Sequence, residues 1–198
     1  MKKILLIILP LLLIVSCSKS VDEKTLLNKD GSLNEPINYK EMLVERDGVY
    51  YTKDTNKPYF GSIFSLYKNG QKSTEGTLKN GKPDGKWTLL YENGQKESKI
   101  TFKDGIFDGK FNGWFENGQK QVEEKYKDGK KDGLWTWWYS NGQKEYEGTF
   151  KDGKEDGLFT SWYENGKKKD EGNYKDGEKV GQWINYLEDG TIDGVVEY

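Results

Sequence analysis

Trp135-Thr136-Trp137-Trp138-Tyr139-Ser140-Asn141-Gly142-Gln143-Lys144, followed by Glu147-Gly148-Thr149-Phe150-Lys151-Asp152-Gly153-Lys154, is the stretch that decides the fold. Two alternating, aromatic-rich runs are each closed by a dipeptide that accepts positive φ. That combination reads as two strands joined by a tight turn, a β-hairpin. In the first run Trp135, Trp137 and Tyr139 point one way, and Leu134, Thr136 and Trp138 the other. A helix is excluded, because glycine breaks every stretch within about ten residues.

Working outward, the same unit recurs every 24 residues. One turn falls at Asn93-Gly94, Asn117-Gly118, Asn141-Gly142 and Asn165-Gly166, with Asn69-Gly70 before them and Asp189-Gly190 after. A second turn lies between these at Asn80-Gly81, Asp104-Gly105, Asp128-Gly129, Asp152-Gly153 and Asp176-Gly177. A further glycine follows each second turn, at Gly85, Gly109, Gly133, Gly157 and Gly181. No unit can bury its apolar side alone, so stability must come from neighbours. The expected fold class is all-β: an elongated antiparallel β-meander of stacked hairpins spanning residues 61–198.

The repeats align their side chains in columns. One column runs Trp87, Phe111, Trp135, Phe159 and Trp183, and a second Tyr91, Phe115, Tyr139 and Tyr163. The returning strands add Leu78, Phe102, Tyr126, Phe150, Tyr174 and Tyr198. These three columns are expected to share one apolar face as the structural core. A fourth column, Leu90, Trp114, Trp138, Trp162 and Tyr186, falls on the opposite face by alternation. In a single-layered sheet it forms an exposed tryptophan ladder with steps of about 10 Å, suited to a protein groove, a peptide or sugar rings. In a sheet that folds over, the same column is ordinary cross-strand packing. Alternation alone leaves both readings open.

Composition narrows the chemistry. The 198 residues are 33% hydrophobic, 32% charged and 14% aromatic, too aromatic for a disordered chain. There is no histidine, which removes histidine metal ligands and Ser-His-Asp or Cys-His catalysis. The single cysteine excludes an intrachain disulfide. A net charge of -2 gives no electrostatic hold on nucleic acid. Carboxylate pairs such as Asp104 and Asp108 repeat with the units and lack a calcium-loop pattern. Glu123-Glu124 departs from the Glu-Gly of Glu75-Gly76, Glu147-Gly148 and Glu171-Gly172, and reads as repeat drift. Gly113, placed inside a strand, reads as a bend. No catalytic residue, metal ligand or cofactor is expected, and the chain is read as a non-enzyme.

The first residues are an address. Met1-Lys2-Lys3 is a basic start, and Ile4 to Val15 is apolar apart from Pro10. That run is too short to cross a hydrocarbon core of about 30 Å and reads as a signal segment over residues 1–16. Ile14-Val15-Ser16-Cys17 resembles the lipobox of bacterial lipoproteins. The resemblance implies cleavage before Cys17, acylation of that cysteine and anchoring in a lipid bilayer. Two or more acyl chains give a stable anchor where one is marginal. Ser18 and Lys19 in place of aspartate imply the outer membrane if the organism is Gram-negative. Residues 17–39 are expected to be a flexible tether and residues 40–60 a capping hairpin, with strands at Lys40–Arg46 and Val49–Thr52 around Asp47-Gly48.

The unit itself resembles the bacterial variant of the MORN repeat, through Trp-x-x-Trp/Phe-Tyr-x-Asn-Gly and then Gly-x-Tyr/Phe-x-Asp/Asn-Gly, over roughly residues 59–198. Proteins with this variant include lipoproteins and some described as antitoxin components of toxin–antitoxin systems. The resemblance implies a scaffold for a protein partner, antitoxin- or immunity-like. An export signal fits an envelope adaptor better than a cytoplasmic antitoxin. The rival expectations are a cell-wall or polysaccharide-binding module that stacks sugars on the tryptophan ladder, and a passive spacer.

Overall fold

Two turn chemistries, used in alternation, build the sheet. At Asp104-Gly105 both residues have positive φ, 50° and 90°, and they join strands in a two-residue hairpin. Its twist matches that of the flanking strands. At Tyr91–Gln95 the turn is wider: the Gly94 N–H donates to Tyr91 O and the Tyr91 N–H to Gln95 O, with only Gly94 at positive φ. That is a type I turn closed by a glycine bulge. The Asn93 side chain fixes it by accepting the Gln95 N–H at 2.8 Å.

The computed structural model describes residues 35–53 and 56–198. The signal segment, Cys17 and most of the expected tether lie outside the described residues. The chain enters through β1 (Ile37–Asn38), a single helical turn α1 (Tyr39–Met42), β2 (Leu43–Arg46) and β3 (Val49–Thr52). The meander follows as β4 (Gly61–Leu66), β5 (Lys72–Lys79), β6 (Lys82–Leu90), β7 (Lys96–Lys103), β8 (Ile106–Trp114) and β9 (Lys120–Lys127). It continues through β10 (Lys130–Lys131), β11 (Gly133–Trp138), β12 (Lys144–Lys151), β13 (Lys154–Trp162), β14 (Lys168–Lys175), β15 (Glu178–Tyr186) and β16 (Ile192–Glu197).

Strands β4 to β16 pair with their sequence neighbours, β10 joining only β9, and β1 adds in parallel beside β4 to complete a 14-stranded sheet. The expected all-β meander of stacked hairpins is therefore what forms. Two expectations at the N-terminal end are corrected. Ile37 is buried and registered against Ile63, so the tether ends before residue 37, because an apolar side chain there fills the start of the core. Lys40–Met42 forms the helical turn, so the first capping strand begins only at Leu43.

Each long strand carries two irregularities. Opposite Gly76 the partner strand β6 inserts extra residues at Gly85–Trp87, since Glu75 pairs with Thr88 and Thr77 with Asp84. A second bulge falls between Leu89 and Leu90 and recurs between Gly113 and Trp114. Bulges add right-handed twist. Gly113 marks no bend of its own. Strand β8 runs through it, and its missing Cβ leaves room for Val122, whose Cγ1 lies 2.6 Å from where a Cβ would stand.

The core lies on one face and within one layer. Trp87, Trp135 and Trp183 are buried, and Leu78 is 0% exposed. Rings from successive strands contact each other along the array: Trp87–Phe102, Phe107–Tyr126, Tyr126–Trp135, Trp135–Phe150, Phe159–Trp183 and Trp183–Tyr198. The indoles of Trp87 and Trp183 pack closely over Gly76 and Gly172 of the neighbouring strand. A Cβ on Gly172 would stand 2.3 Å from Trp183. Each indole N–H then reaches a carbonyl that the bulge frees, Trp87 to Thr77 O at 3.0 Å and Trp183 to Asn173 O at 3.1 Å. At the N-terminal end Ile37, Leu43 and Tyr59 cover Ile63, Leu78 and Trp87.

The column of Tyr91, Phe115, Tyr139 and Tyr163 departs from this layer. These side chains are half-buried at the hairpin end, and the three tyrosine hydroxyls reach across to the next repeat. Tyr91 donates to Trp114 O at 2.7 Å, Tyr139 to Trp162 O at 2.9 Å and Tyr163 to Tyr186 O at 2.8 Å. The turn asparagines do the same through Nδ2, as Asn141 to Glu164 O at 2.8 Å and Asn165 to Glu188 O at 2.9 Å. At the other end of the hairpins, the Gly105 N–H donates back to Pro83 O and the Gly129 N–H to Phe107 O. Every repeat is thus tied forward at one end and backward at the other.

Candidate functional site

Alternation along each strand puts Leu90, Trp114, Trp138, Trp162 and Tyr186 on the face opposite the core, all half-buried, and the bulge in the returning strand sets Lys96 against Leu90 and Lys120 against Trp114. Their own carbonyls at Leu90, Trp114, Trp162 and Tyr186 hold the tyrosine hydroxyls of the preceding repeat. The column is therefore anchored at the backbone and partly open at the side chain. The ladder side chains are thus neither fully exposed nor fully buried.

Lysine ammonium groups lie over two of the rings. Lys120 Nζ lies 5.3 Å from the Trp138 ring centroid and Lys144 Nζ 5.5 Å from that of Trp162. Each is held there by a glutamate three residues on, Lys120–Glu123 at 2.5 Å and Lys144–Glu147 at 2.7 Å. Lys168 pairs with Glu171 at 2.6 Å in the next repeat, and the Tyr186 hydroxyl donates to the same carboxylate. These donors hold Glu171 below the usual carboxylate range, Lys168 first, and the Glu171 hydrogen bond raises Tyr186. No such pair forms beneath Trp114, where Lys96 is followed by Lys99. Trp114 instead lines a hollow of about 390 Å³ with Gly94, Gln95, Lys96 and Gly118.

On the core face the glycine column is broken twice, by Ile100 and by the ionisable Glu124. Glu124 stands where other repeats have Gly76, Gly148 or Gly172, and it is 5% exposed. Its carboxylate accepts from Trp137 Nε1 at 3.0 Å and from the Tyr126 hydroxyl at 3.0 Å. Burial pushes Glu124 above its ordinary value, against the lowering effect of these donors and of Lys131. Tyr126 is raised by burial and by Glu124, and Tyr146, stacked on Trp137 at 5.5 Å, is pushed up to about 12 mainly by burial. What reads as drift in the sequence is a buried polar network. Its signal was available: an ionisable residue in a glycine column.

The paired aspartates also have a structural use. Asp84 Oδ2 accepts the Asp104 N–H at 3.3 Å, and Asp108 Oδ2 the Asp128 N–H at 3.4 Å, so each carboxylate receives the turn of the following repeat. Among the described residues no three His, Cys, Asp or Glu side chains gather as a metal site. No described helix is long and apolar enough to cross a membrane.

Comparison with known proteins agrees with the repeat geometry. A family model described as a MORN repeat variant matches residues 83–104, 107–128, 131–152 and 155–176. Each match runs from just after one two-residue turn through a long strand, the wide turn and the returning strand to the next. No curated protein matches the chain. Among solved structures, a chain of the GtfA/B complex crystallised with UDP and GlcNAc is similar at 10% identity, over 87% of this chain, with a TM-score of 0.23. The likeness spans only 28% of that chain and, at so low a score, carries no argument. The chain thus carries four variant MORN repeats between residues 83 and 176.

Proposed function

We propose that this chain is a non-enzymatic scaffold, anchored in a cell-envelope membrane through acylated Cys17, that presents its repeated sheet to a protein partner. The observation that carries this reading is the ladder face: half-buried tryptophans in register, bordered by lysine–glutamate pairs. Aromatic anchors within a charged rim are the composition of a protein interface, where a few large side chains dominate affinity. A polysaccharide platform is less favoured, because lysine ammonium groups already lie over Trp138 and Trp162. The lipobox-like Ile14-Val15-Ser16-Cys17 supports the anchor, and Ser18-Lys19 supports the outer membrane where the cell has one. An antitoxin- or immunity-like role belongs to the same reading, with the partner as the inhibited protein.

Affinity capture from mild-detergent extracts tests it, comparing wild type with Trp114→Ala/Trp138→Ala/Trp162→Ala after circular dichroism has shown a retained fold. A protein enriched with wild type and lost with the folded variant supports the scaffold. Equal recovery by both proteins removes the ladder as the interaction face. Metabolic labelling with a palmitate analogue, lost in Cys17→Ser, tests the anchor separately.

A further inference from the structure

The repeat is broken on the ladder face as well, and there the break concerns charge. Where other repeats place Glu75, Glu123, Glu147 and Glu171, strand β7 carries Lys99. Where later repeats place Leu134 and Leu158, strands β6 and β8 carry Lys86 and Lys110. The pairing Thr88–Lys99–Asn112 lies beside Lys86, which pairs with Thr101, and Lys110, whose carbonyl accepts from the Thr101 hydroxyl at 3.2 Å across the bulge, so the three lysines occupy adjoining positions on one face. They border a hollow of about 320 Å³ with Thr88, Thr101 and Asn112. All three are exposed, and none forms an ion pair among the described residues. The carboxylates that flank the row Thr88–Lys99–Asn112, Glu75 and Glu123, are already paired with Lys72 and Lys120.

The same exchange frees a fourth cation. Lys120 and Lys144 are drawn over the next tryptophan by their glutamates, but Lys96 has Lys99 at that spacing and gains repulsion instead. The result is a strip of unpaired ammonium groups on a chain whose net charge is -2. It runs along the strands for roughly 14 Å, at about 6.8 Å for each two residues, and ends at Trp114.

We propose that this strip on β6, β7 and β8 docks an extended acidic segment of the protein partner, with carboxylate side chains on Lys86, Lys99 and Lys110 and an apolar side chain on Trp114. This rests on the scaffold reading above and adds the chemistry of the partner. Carboxylates projecting to one side of an extended chain repeat about every 6.8 Å, near the step along the strands from the row of Lys86 and Lys110 to Lys99. The sheet spends its backbone N–H groups in its own ladder, and the chain offers single ammonium charges in place of the guanidinium fork that grips phosphate. Charge complementarity on such a rim sets partner choice and association rate.

The experiment uses the purified chain and short poly-L-glutamate, at low salt and at physiological ionic strength. Wild type is compared with Lys86→Gln/Lys99→Gln/Lys110→Gln and with a control, Lys120→Gln/Lys144→Gln/Lys168→Gln, that removes the same charge from paired positions. The expected result is an affinity loss of about tenfold in the first variant and under about threefold in the control. Equal losses would mean net charge alone and would overturn the site, as would no loss in either. Inorganic polyphosphate, polygalacturonate or phosphatidylglycerol vesicles, bound more tightly than polyglutamate with the same lysine dependence, would overturn the protein segment as occupant. Because the probe is synthetic, the outcome is independent of whether the tryptophan variant loses its partner in cells.

Discussion

Single atoms decide how firmly neighbouring repeats hold one another. Tyr67, Tyr91, Tyr139 and Tyr163 each donate a hydroxyl to the next repeat's ladder carbonyl, and Phe115 lacks that hydroxyl. Phe115→Tyr is expected to add the missing bond and to stabilise the chain by about 1 kcal/mol in urea unfolding. Tyr91→Phe should cost a similar amount. Glu124 gives a pH signature. Its folded pKa is raised, so the folded state holds the proton more tightly and stability falls as pH rises above the ordinary 4.5 toward the raised value. Glu124→Gln keeps an acceptor for Trp137 and does not titrate. Its stability relative to wild type should climb across that window, and unfolding curves at stepped pH would show it. A difference that stays flat with pH would rule out a buried titrating carboxylate. Residues of this kind were only partly legible in the sequence. The glycine column and its charged exception at Glu124 are visible there, but burial depends on the rings of Tyr126, two residues along the same strand, and Trp137, on the neighbouring strand, closing over it.

At the scale of the hairpin, the two turns do different work. The two-residue turn donates its glycine N–H backward, as Gly153 does to Lys131 O. The wide turn reaches forward through asparagine, whose Oδ1 caps its own turn while Nδ2 bonds the next. Asn141→Asp keeps the first contact, the Gln143 N–H at 2.9 Å, and loses the second, to Glu164 O. It should cost about 1 kcal/mol, whereas Asn141→Ala loses both and should cost roughly twice that. Thermal unfolding of the two variants side by side measures the split. Asp189 already makes the aspartate turn work, accepting from the Thr191 N–H at 2.8 Å. The hairpins, their turns and their two faces follow directly from the Asn-Gly and Asp-Gly spacing and from alternation. The bulges do not. They recur in every repeat, with Phe111 against Ile100 as well as with Trp87 against Gly76, so no one side chain announces them, and their register appears only when two strands are laid together. That is also why the tyrosine column, which alternation alone puts with the core, ends at the sheet margin.

For the molecule as a whole, the array has no second layer to hold it, apart from the cap of Ile37, Leu43 and Tyr59 at one end. Stability should therefore behave as a sum over repeats and their boundaries. Deletion of residues 107–130, one period, joins Ile106 to Lys131 in the same register. The shortened chain is expected to keep its β-sheet dichroism per residue, with a urea m-value lower in proportion to the surface lost. A collapse of the fold on that deletion would show that the repeats are not interchangeable. The forward and backward bonds between repeats also have a consequence under load. If the chain is held near one end and drawn from the other, tension meets the hairpins one after another, because each lies between its neighbours in sequence as in space. The sheet would yield from its free edge in steps, each releasing one repeat and roughly 80 Å of extended chain. Held at one end, a chain built this way would act as an extensible leash, lengthening by counted increments while the repeats not yet peeled stay folded.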